Sequence, residues 1–303
     1  MSVKHIISYS RDGLGGRLLC IMNTLLIAKH FECKASIVWK NNRHLDCDFN
    51  NLFYERGSFE VVPNINNLIN QESSLCSIHN MAITKYKHTS DFMVGIRNDM
   101  LNIRALREEY IKLGKVSSFN KDNQVIIKAM SKALLENDIV AFRARKDFSR
   151  FYNISYSDIF HNNLMPLANI QSLVDSYIDN NSFKNILGVQ VRRGDLSSSS
   201  LTNIRIVPIN KYFEKIDYLL KINRYEKIFL ATESVDIIGA FHKRYKDMVI
   251  NYPIDEYSRS GKGVVYALVD MILLSKCTLI ISGRSQLPAT AAKIGNIEHI
   301  RLV

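Results

Sequence analysis

Short runs of apolar, β-branched residues alternate in the second half of the chain with longer segments whose apolar residues recur at helical spacing. The short runs predict buried strands and the longer segments predict amphipathic helices. The predicted strands are Ile186–Val191, Lys227–Ala231, Met248–Asn251 and Thr278–Ser282. The predicted helices are Asn169–Ile178, Asn210–Ile222, Val235–Tyr245, Gly263–Leu274 and Gln286–Lys293. This regular alternation predicts a parallel, doubly wound sheet.

The first half opens with the same alternation and then loses it. Around residues 41–87 the sequence is irregular and rich in Asn and Ser. The predicted strands are Lys4–Ser8, Ser36–Trp39, Phe59–Val62 and Ile139–Phe142, and the predicted helices are Leu18–His30, Asn102–Leu113 and Gln124–Leu135. A length of 303 residues allows two domains of ordinary size or one large one. We place the domain boundary near Asn163, which gives domains of residues 1–163 and 164–303.

The chain is basic, with 40 Lys and Arg against 29 Asp and Glu and a formal net charge of +11. That excess predicts attraction to an anion, for which nucleic acid, a phosphorylated ligand and an acidic membrane surface are candidates. The basic residues are scattered, so we expect no nucleic-acid partner. Five widely spaced cysteines without a C-x-x-C pair favour a reducing compartment. The sequence shows neither a signal peptide nor a long apolar run, which predicts a cytoplasmic protein.

A glycine-rich turn follows the first predicted strand and reads Ser10-Arg11-Asp12-Gly13-Leu14-Gly15-Gly16-Arg17. It is close to the dinucleotide-binding fingerprint, but Leu18 stands where the third glycine belongs. One interpretation is a tight turn between a strand and a helix, without a ligand. In the other, Gly15 and Gly16 allow backbone N–H groups at the helix N-terminus to face a phosphate or an acceptor.

The predicted strand Ile186–Val191 ends abruptly in Arg192, Arg193, Gly194 and Asp195. In an open α/β sheet, ligands lie beyond the carboxyl ends of the strands, and paired guanidinium groups match the geometry of phosphate oxygens. Gly194 would permit a sharp turn, and Asp195 could orient an arginine or a sugar hydroxyl. The alternative is a solvated loop with a surface ion pair.

Two other strands of this half also end in polar groups, at Thr232-Glu233-Ser234 and at Ser282-Gly283-Arg284-Ser285-Gln286. Parallel strands bring such ends to one edge of the sheet, so together they predict a site for a diphosphate and a sugar. Asp270 interrupts the apolar stripe of a predicted helix. A buried carboxylate needs a partner, so Asp270 is either a structural hydrogen-bond acceptor or a nucleotide contact.

Three further signals are weaker. The D-x-D of Asp46-Cys47-Asp48 occurs in some metal-dependent glycosyltransferases, but here it follows no clear strand. The eight histidines show no ligand spacing, so we expect no metal. The basic segment Arg143–Arg150 is either a solvated loop or part of a ligand site.

In their order along nearly the whole chain, these motifs resemble the nodulation-type bacterial and eukaryotic α1,6-fucosyltransferases, and more loosely the α1,2-fucosyltransferases. The first matching motif is the glycine-rich turn with its helix. The second is Gln190-Val191-Arg192-Arg193-Gly194-Asp195, which resembles the family's H-V-R-R-(T/G)-D strand end and is followed by Pro208-Ile209 and Tyr212. The third and fourth are Leu230-Ala231-Thr232-Glu233-Ser234, and Asp270 with Leu274-Ser275-Lys276-Cys277 and Arg284-Ser285-Gln286.

The resemblance implies an α/β fold of the GT-B type with two Rossmann-like domains, an acceptor-side N-terminal domain and a C-terminal domain that binds GDP-fucose. It implies inverting transfer without a metal or another cofactor. Arg192 would hold the donor diphosphate and stabilise the leaving group, with Arg193 assisting. The other donor-binding residues that it implies are Gly15, Gly16, Arg17, Gln190, Asp270, Ser285 and Gln286.

The chain departs from the family at two positions. Gln190 stands where the family has His, so this contact is neutral here and could alter the choice of donor. The α1,6 enzymes carry a candidate catalytic Glu shortly after the arginine motif, whereas this chain has only Ser197–Ser200 there. Transfer needs a base for the acceptor hydroxyl, and Asp195 and Glu233 are the two candidates.

We therefore expect a glycosyltransferase that moves L-fucose from GDP-fucose to a glycan acceptor. If the acceptor is linked to a lipid, the basic surface would favour peripheral contact with an anionic membrane at its inner face. One alternative is a transferase of the same fold that uses a different nucleotide sugar. Another is a non-catalytic module that binds a glycan or a nucleotide.

Overall fold

The structure, a computed structural model, describes residues 3–10, 12–55, 57–63, 65–68, 74–79, 82–86, 123–145, 147–193, 206–255 and 258–303. The chain forms two compact units. The first comprises Met1–His44 and Asp48–Met165, and the second comprises Leu45–Cys47 and Pro166–Val303. The predicted helix Asn102–Leu113, the catalytic candidate Asp195, its neighbour Gly194 and Ser197–Ser200 lie outside the described residues.

The first unit is built on a six-stranded sheet in the order β3-β2-β1-β6-β4-β5. All neighbouring strands are parallel except β4 and β5. The strands are β1 His5–Ser8, β2 Lys34–Val38, β3 Glu60–Val62, β4 Leu75–His79, β5 Ala82–Tyr86 and β6 Ile139–Arg143. The helices are α1 Leu14–Phe31, α2 Asn123–Glu136, α3 Ser149–Tyr152 and α4 Tyr156–Asn163, with 3-10 turns at Phe49–Asn51 and Ile65–Leu68.

Helix α1 begins within the glycine-rich segment, earlier than the predicted start at Leu18. Gly13 is its N-cap, and every residue from Leu14 to Ala28 is buried. Because the helix is enclosed on all sides, its sequence shows little amphipathic contrast at the N-terminal end. Gly15 and Gly16 are therefore residues of the first helical turn, and the predicted loop is shorter than expected.

The sequence pattern did not predict the hairpin of β4 and β5, nor helices α3 and α4 in and after the basic segment Arg143–Arg150. The apolar residues of strand β4 are interrupted by Ser77 and His79, and β5 is an edge strand with exposed Lys85. Edge strands carry a weaker apolar signal than central ones, because only part of their surface is covered.

The second unit contains a five-stranded, fully parallel sheet in the order β11-β10-β7-β8-β9. The strands are β7 Ile186–Gln190, β8 Lys227–Ala231, β9 Val249–Ile250, β10 Leu279–Ser282 and β11 Glu298–Arg301. The helices are α5 Ala168–Asn181, α6 Ile209–Ile222, α7 Val235–Tyr245, α8 Gly261–Ser275 and α9 Gln286–Gly295, with a 3-10 turn at Lys246–Met248. The doubly wound arrangement predicted for this half is confirmed. Only the edge strand β11, which is partly exposed, was not predicted.

The central strand β7 is covered on both faces. Leu187, Val189 and Val191 pack in one hydrophobic cluster with residues of α6 and α7. On the opposite face, α8 packs directly against Gly188, where a Cβ atom would lie 3.0 Å from Cys277 Sγ and 3.1 Å from a Leu274 methyl group. The missing side chain therefore brings α8 close to the centre of the sheet.

Among the helices of the described residues, none combines the length and the apolar character needed to cross a membrane.

Candidate functional site

The strand order of the second sheet reverses between β7 and β10. The chain winds outward from β7 through β8 to β9, and then returns to place β10 on the other side of β7. In doubly wound sheets, ligands bind in the crevice at the carboxyl ends of the two strands that flank such a switch point. Arg192 lies two residues beyond the end of β7, and Ser285 and Gln286 follow β10. The structure therefore places these three predicted residues at the switch point.

Hydrogen bonds tie the ends of β7 and β8 together. The Thr232 hydroxyl donates to the Val191 carbonyl oxygen at 2.6 Å. The backbone N–H of Arg193 donates to Glu233 Oε1, also at 2.6 Å. Glu233 therefore holds the backbone that presents Arg192. In this geometry it is a positioning residue, which weakens its candidacy as the catalytic base.

The Arg193 guanidinium points to backbone carbonyls. Nη2 donates to the Val207 carbonyl oxygen at 3.0 Å, and Nη1 donates to the Arg192 carbonyl oxygen at 3.3 Å. Val207 lies beyond the segment of residues 194–205, so Arg193 links the two ends of that segment. These contacts tie Arg193 to the backbone of Arg192 and Val207, and its expected donor contact stays a prediction.

Two buried acceptor atoms at this edge lack a hydrogen-bond partner among the described residues. They are Gln190 Oε1, at the end of β7, and Asp270 Oδ1, on α8. Both residues are 8% exposed. Buried polar atoms are almost always paired in native structures, so unpaired ones at a predicted site indicate a ligand. The hydroxyl of Tyr177, on α5, is a third unpaired buried atom.

Gln190 and Asp270 lie on the same face of the sheet and at a similar height along it. Gln190 is two residues beyond Gly188, and side chains two apart on a strand share a face. Asp270 is one helical turn before Leu274, which packs on Gly188, and a crossover helix runs antiparallel to its strands. Both side chains therefore lie at the carboxyl end of β7.

The environment of Asp270 disfavours its charged form. Burial raises the pKa of the Asp270 carboxyl well above its ordinary value, and the negative charge of Glu233 adds to this effect. The charge of Asp270 also contributes to the raised pKa of Tyr177, although burial is the larger cause there. The three groups therefore interact electrostatically at one edge of the sheet.

Ser285 is the N-cap of α9 and is 7% exposed. Its side chain makes no capping hydrogen bond, and the first turn of α9, which begins at Gln286, contains no acidic residue. The positive end of the helix dipole is therefore not offset by a carboxylate from its own first turn. A phosphate group would be stabilised at this position.

The first sheet has its own switch point, between β1 and β6. Asp12, in the turn after β1, meets Arg143 and Arg145 at the end of β6. Its Oδ1 lies 3.7 Å from Arg143 Nη2 and 3.6 Å from Arg145 Nη1. The Ser10 hydroxyl donates to Asp12 Oδ2 at 2.9 Å. This cluster was not predicted: the sequence showed only a glycine-rich turn and a basic segment, with no signal that they meet.

The structure gives Arg17 contacts within its own unit, while Arg17 Nη2 has no hydrogen-bond partner among the described residues, and the donor contact of Arg17 stays a prediction. Arg17 is only 1% exposed, and its guanidinium donates to the backbone carbonyls of Asp12 and Lys40 and stacks on Trp39. Gly16 allows Asp12 to pack against α1, because a Cβ atom at Gly16 would lie only 2.8 Å from Asp12 Cβ. The absent side chain of Gly16 therefore leaves room for Asp12, where we had expected room for a phosphate.

No three His, Cys, Asp or Glu side chains of the described residues are grouped in a way that could hold a metal ion. The two aspartates of the D-x-D triplet make structural contacts. Asp46 forms a β-bridge with Ser260, and Asp48 Oδ1 accepts a hydrogen bond from Asn41 at 2.7 Å.

No protein-family model matches this sequence, and no curated protein matches it. Solved structures do. A NodZ α-1,6-fucosyltransferase co-crystallised with GDP aligns with a TM-score of 0.60 and 15% sequence identity, over 96% of this chain and 92% of that one. Fucosyltransferase NodZ from Bradyrhizobium aligns with a TM-score of 0.59 and 15% identity, over 96% and 93%.

Arabidopsis thaliana FUT1 in complex with GDP aligns with a TM-score of 0.55 and 15% identity, over 99% of this chain and 70% of that one. At such identities the similarity establishes the fold. The predicted α/β fold of the GT-B type, with two Rossmann-like parts, is thereby confirmed.

Proposed function

We propose that the chain is an inverting glycosyltransferase that transfers L-fucose from GDP-fucose to a glycan acceptor by single displacement without a metal ion. Two NodZ structures with the same fold are fucosyltransferases, and one of them, like the FUT1 structure, is a complex with GDP. At these identities the fold alone does not decide the activity. The proposal therefore depends on the residues at the switch point of the second sheet.

The choice of a guanine nucleotide depends on the unpaired oxygen of Asp270. A buried carboxylate oxygen needs a donor, and Gln190 Oε1 offers a second acceptor on the same face. Guanine presents two kinds of donor on one edge, N1–H and the 2-amino group. A neighbouring pair of acceptors suits that edge better than the edge of uracil, which has a single N–H between two carbonyl groups.

The diphosphate would lie next to the guanine, between Arg192 and the N-terminus of α9. Departure of GDP from the anomeric carbon develops negative charge on the diphosphate, which Arg192 and the α9 dipole would stabilise without a metal. Ser285 and Gln286 would donate hydrogen bonds from the start of α9. Arg193 and Glu233 would keep Arg192 in place.

The base for the acceptor hydroxyl is a separate question. Glu233 already accepts a strong hydrogen bond from the Arg193 backbone, so Asp195 is the better of the two predicted candidates. A cytoplasmic location and a lipid-linked acceptor stay predictions.

Calorimetric titration tests the donor site. GDP is titrated into the wild type and the Arg192→Ala variant in the presence of EDTA, with Arg224→Ala, an exposed arginine of the same unit, as the matched control. We expect GDP to bind the wild type and Arg224→Ala equally, and Arg192→Ala about 100-fold more weakly, the loss of roughly two charge-assisted hydrogen bonds. Wild-type protein that fails to bind GDP, or that binds it only without EDTA, would refute the proposal.

Gln190 favours a second candidate, a transferase of the same fold with a different nucleotide sugar, because an amide replaces the histidine of the family. Competition between GDP-fucose and other nucleotide sugars separates the two enzymes. Hydrolysis or transfer of GDP-fucose separates either enzyme from a binding module, since a module would bind the nucleotide without turnover.

A further inference from the structure

Three buried polar atoms near the carboxyl edge of the second sheet lack a hydrogen-bond partner among the described residues, and one of them is a donor. Gln190 Oε1 and Asp270 Oδ1 are acceptors, whereas the Tyr177 hydroxyl, on α5, can donate. The proposed function uses the two acceptors and gives the hydroxyl no role. A buried hydroxyl without a partner costs free energy, so its presence beside a candidate site needs an explanation.

Tyr177 lies on the same face of the sheet as Gln190 and Asp270. The centroid of its ring is 5.9 Å from that of Phe229, in β8. Phe229 is the register partner of Gly188, and register partners on neighbouring strands project to the same face of a sheet. Because α8 packs on Gly188, the ring of Tyr177 belongs to the α8 side of the sheet.

The ring of Tyr177 also reaches toward the carboxyl edge. Its centroid is 5.4 Å from that of Tyr252, which lies two residues beyond the end of β9. Ile250, the last residue of β9, pairs with Phe229, so Tyr252 is nearer to the carboxyl edge than Phe229 is. Helix α5 leads into β7 through four residues and runs antiparallel to it. Helical side chains lean toward the N-terminus of their helix, which for α5 is the carboxyl edge of the sheet.

Tyr177 and Asp270 are close enough to interact, but they do not bond to each other. The negative charge of Asp270 contributes to the raised pKa of the Tyr177 hydroxyl, after the larger effect of burial. A hydrogen bond from this hydroxyl to Asp270 Oδ1 would leave neither atom unpaired, yet both are unpaired within the described part of the chain. This arrangement suits a ligand that presents an acceptor and a donor side by side.

Guanine presents such a pair. Its O6 carbonyl is adjacent to N1–H, and the 2-amino group follows on the same edge. In the proposed function Asp270 and Gln190 accept from the two donors, and neither of them can serve O6. The Tyr177 hydroxyl can, because its raised pKa keeps it protonated at neutral pH.

We propose that Tyr177 is a specificity-determining residue of the donor site, and that its hydroxyl donates to the base carbonyl next to the ring N–H bound by Asp270. In guanine this carbonyl is O6. The inference rests on the proposed function for the presence of a nucleotide at this edge. It adds a contact that selects bases with a carbonyl at this position. Adenine carries an amino group there, so two donors would face each other.

Calorimetric titration of GDP and 6-thio-GDP into the full chain tests this contact. The two ligands differ in one atom, because sulfur, a weak acceptor, replaces O6. The proteins are the wild type, Tyr177→Phe, which removes only the hydroxyl, and Tyr218→Phe, a matched control at an exposed tyrosine of the same unit. Urea unfolding of the three proteins without nucleotide measures whether the hydroxyl stabilises the fold.

We expect the wild type to bind GDP about tenfold more tightly than 6-thio-GDP. Tyr177→Phe should bind GDP about tenfold more weakly than the wild type and 6-thio-GDP about equally, so the preference disappears. Its free energy of unfolding should equal or exceed that of the wild type, because the free protein loses no hydrogen bond and one unpaired hydroxyl is removed. Tyr218→Phe should match the wild type in all three measurements.

Three results would overturn the inference. The wild type binds the two ligands equally, or Tyr177→Phe keeps the full preference for GDP. The third result is a lower stability of Tyr177→Phe together with an unchanged affinity for GDP, which would assign the hydroxyl to the fold through a bridging water.

Failure of the proposed function looks different. UDP, whose uracil also presents a carbonyl next to a ring N–H, and ADP, whose adenine does not, are titrated into the same proteins. If UDP binds in place of GDP and Tyr177→Phe weakens its binding, the guanine assignment falls and the contact of Tyr177 stands. If none of these nucleotides binds the wild type, both the proposed function and the inference fall.

Discussion

The two sheets have the same kind of switch point, but the polar groups at the two switch points differ in the partners that they find. At the first, Asp12 lies beside Arg143 and Arg145 and accepts a hydrogen bond from Ser10, and a buried donor atom, Arg17 Nη2, has no hydrogen-bond partner among the described residues. At the second, Asp270 Oδ1 and Gln190 Oε1 are buried acceptors without a partner among the described residues. The carboxylate of the first edge is therefore offset within its own unit, whereas the acceptors of the second edge leave binding energy for a ligand that brings donors.

The largest effect that would test this contrast is that of Asp270→Asn on nucleotide affinity. We expect GDP to bind about 30-fold more weakly, a loss of ~2 kcal/mol, because a neutral amide replaces the carboxylate as acceptor. Inosine diphosphate, which differs from GDP only in lacking the 2-amino group, is the control ligand. The wild type should bind it about tenfold more weakly than GDP, and the variant should discriminate much less. Undiminished discrimination in the variant would show that Asp270 does not read the base.

Although Asp270→Asn should weaken GDP binding, it should not lower the stability of the fold. The folded pKa of Asp270 is raised above its value in the unfolded chain, so the folded state holds the proton more tightly. Its stability is then greatest below the unfolded pKa and falls as the pH rises through the folded pKa. The variant removes this decline, and urea unfolding at pH 8 should show a free energy of unfolding equal to or above that of the wild type.

The pH dependence of GDP binding is the second test. If guanine donors stabilise the ionised carboxylate, the pKa of Asp270 is lower in the complex than in the free protein, and binding releases a proton. Affinity should then rise with pH, by up to about tenfold per unit below the pKa of the free protein, and level off above it. Calorimetry in buffers of different ionisation enthalpy measures the released proton directly. Asp270→Asn should abolish this release, and a wild type without it would contradict the assignment.

Asp12→Ala tests the other edge through stability. Removing the carboxylate takes away the negative charge that lies 3.7 Å from Arg143 Nη2 and 3.6 Å from Arg145 Nη1. We expect the free energy of unfolding to fall by about 1–2 kcal/mol, between the values for exposed and buried pairs. GDP affinity should stay unchanged. Asp179→Ala, an exposed aspartate, is the control for stability. A loss of GDP binding in Asp12→Ala would erase the distinction between the two edges.

The smallest expected effect is that of Glu233→Gln. The amide oxygen can still accept from the Arg193 N–H, so Arg192 should stay in place, and GDP affinity at pH 8 should change by about threefold or less. Because the charge of Glu233 helps to raise the pKa of Asp270, its removal should shift the pH profile of GDP binding to lower pH. Glu233→Ala, which removes the acceptor, should weaken GDP binding further. Equal behaviour of the two variants would show that the hydrogen bond to Arg193 has no positioning role.

Much of the fold could be predicted because its signals are local. The strands that end at Gln190, Ala231 and Ser282 are largely apolar and are followed within two residues by polar ones, and the structure places their carboxyl ends at one edge of one parallel sheet. A strand buried on both faces must be apolar throughout, so such strands are easy to recognise. Of the four edge strands, β3 and β9 were predicted, and β5 and β11, which have a weaker apolar pattern, were not. The inner strand β4 was also missed, because Ser77 and His79 interrupt its apolar residues.

In the candidate site, too, some features could be predicted from the sequence and others could not. By itself the sequence determined that an Arg-Arg pair, a polar turn and a helix start follow β7, β8 and β10, and that Asp270 lies on a buried helical stripe. Only the tertiary structure decided that Arg193 donates to the Val207 carbonyl oxygen, that Glu233 accepts from a backbone N–H, and that Asp12 lies beside two arginines at the end of β6. Hydrophobic periodicity acts over neighbouring residues and shows directly in the sequence. Which polar atoms find partners depends on elements that meet only after the sheets have formed, and no local pattern records that.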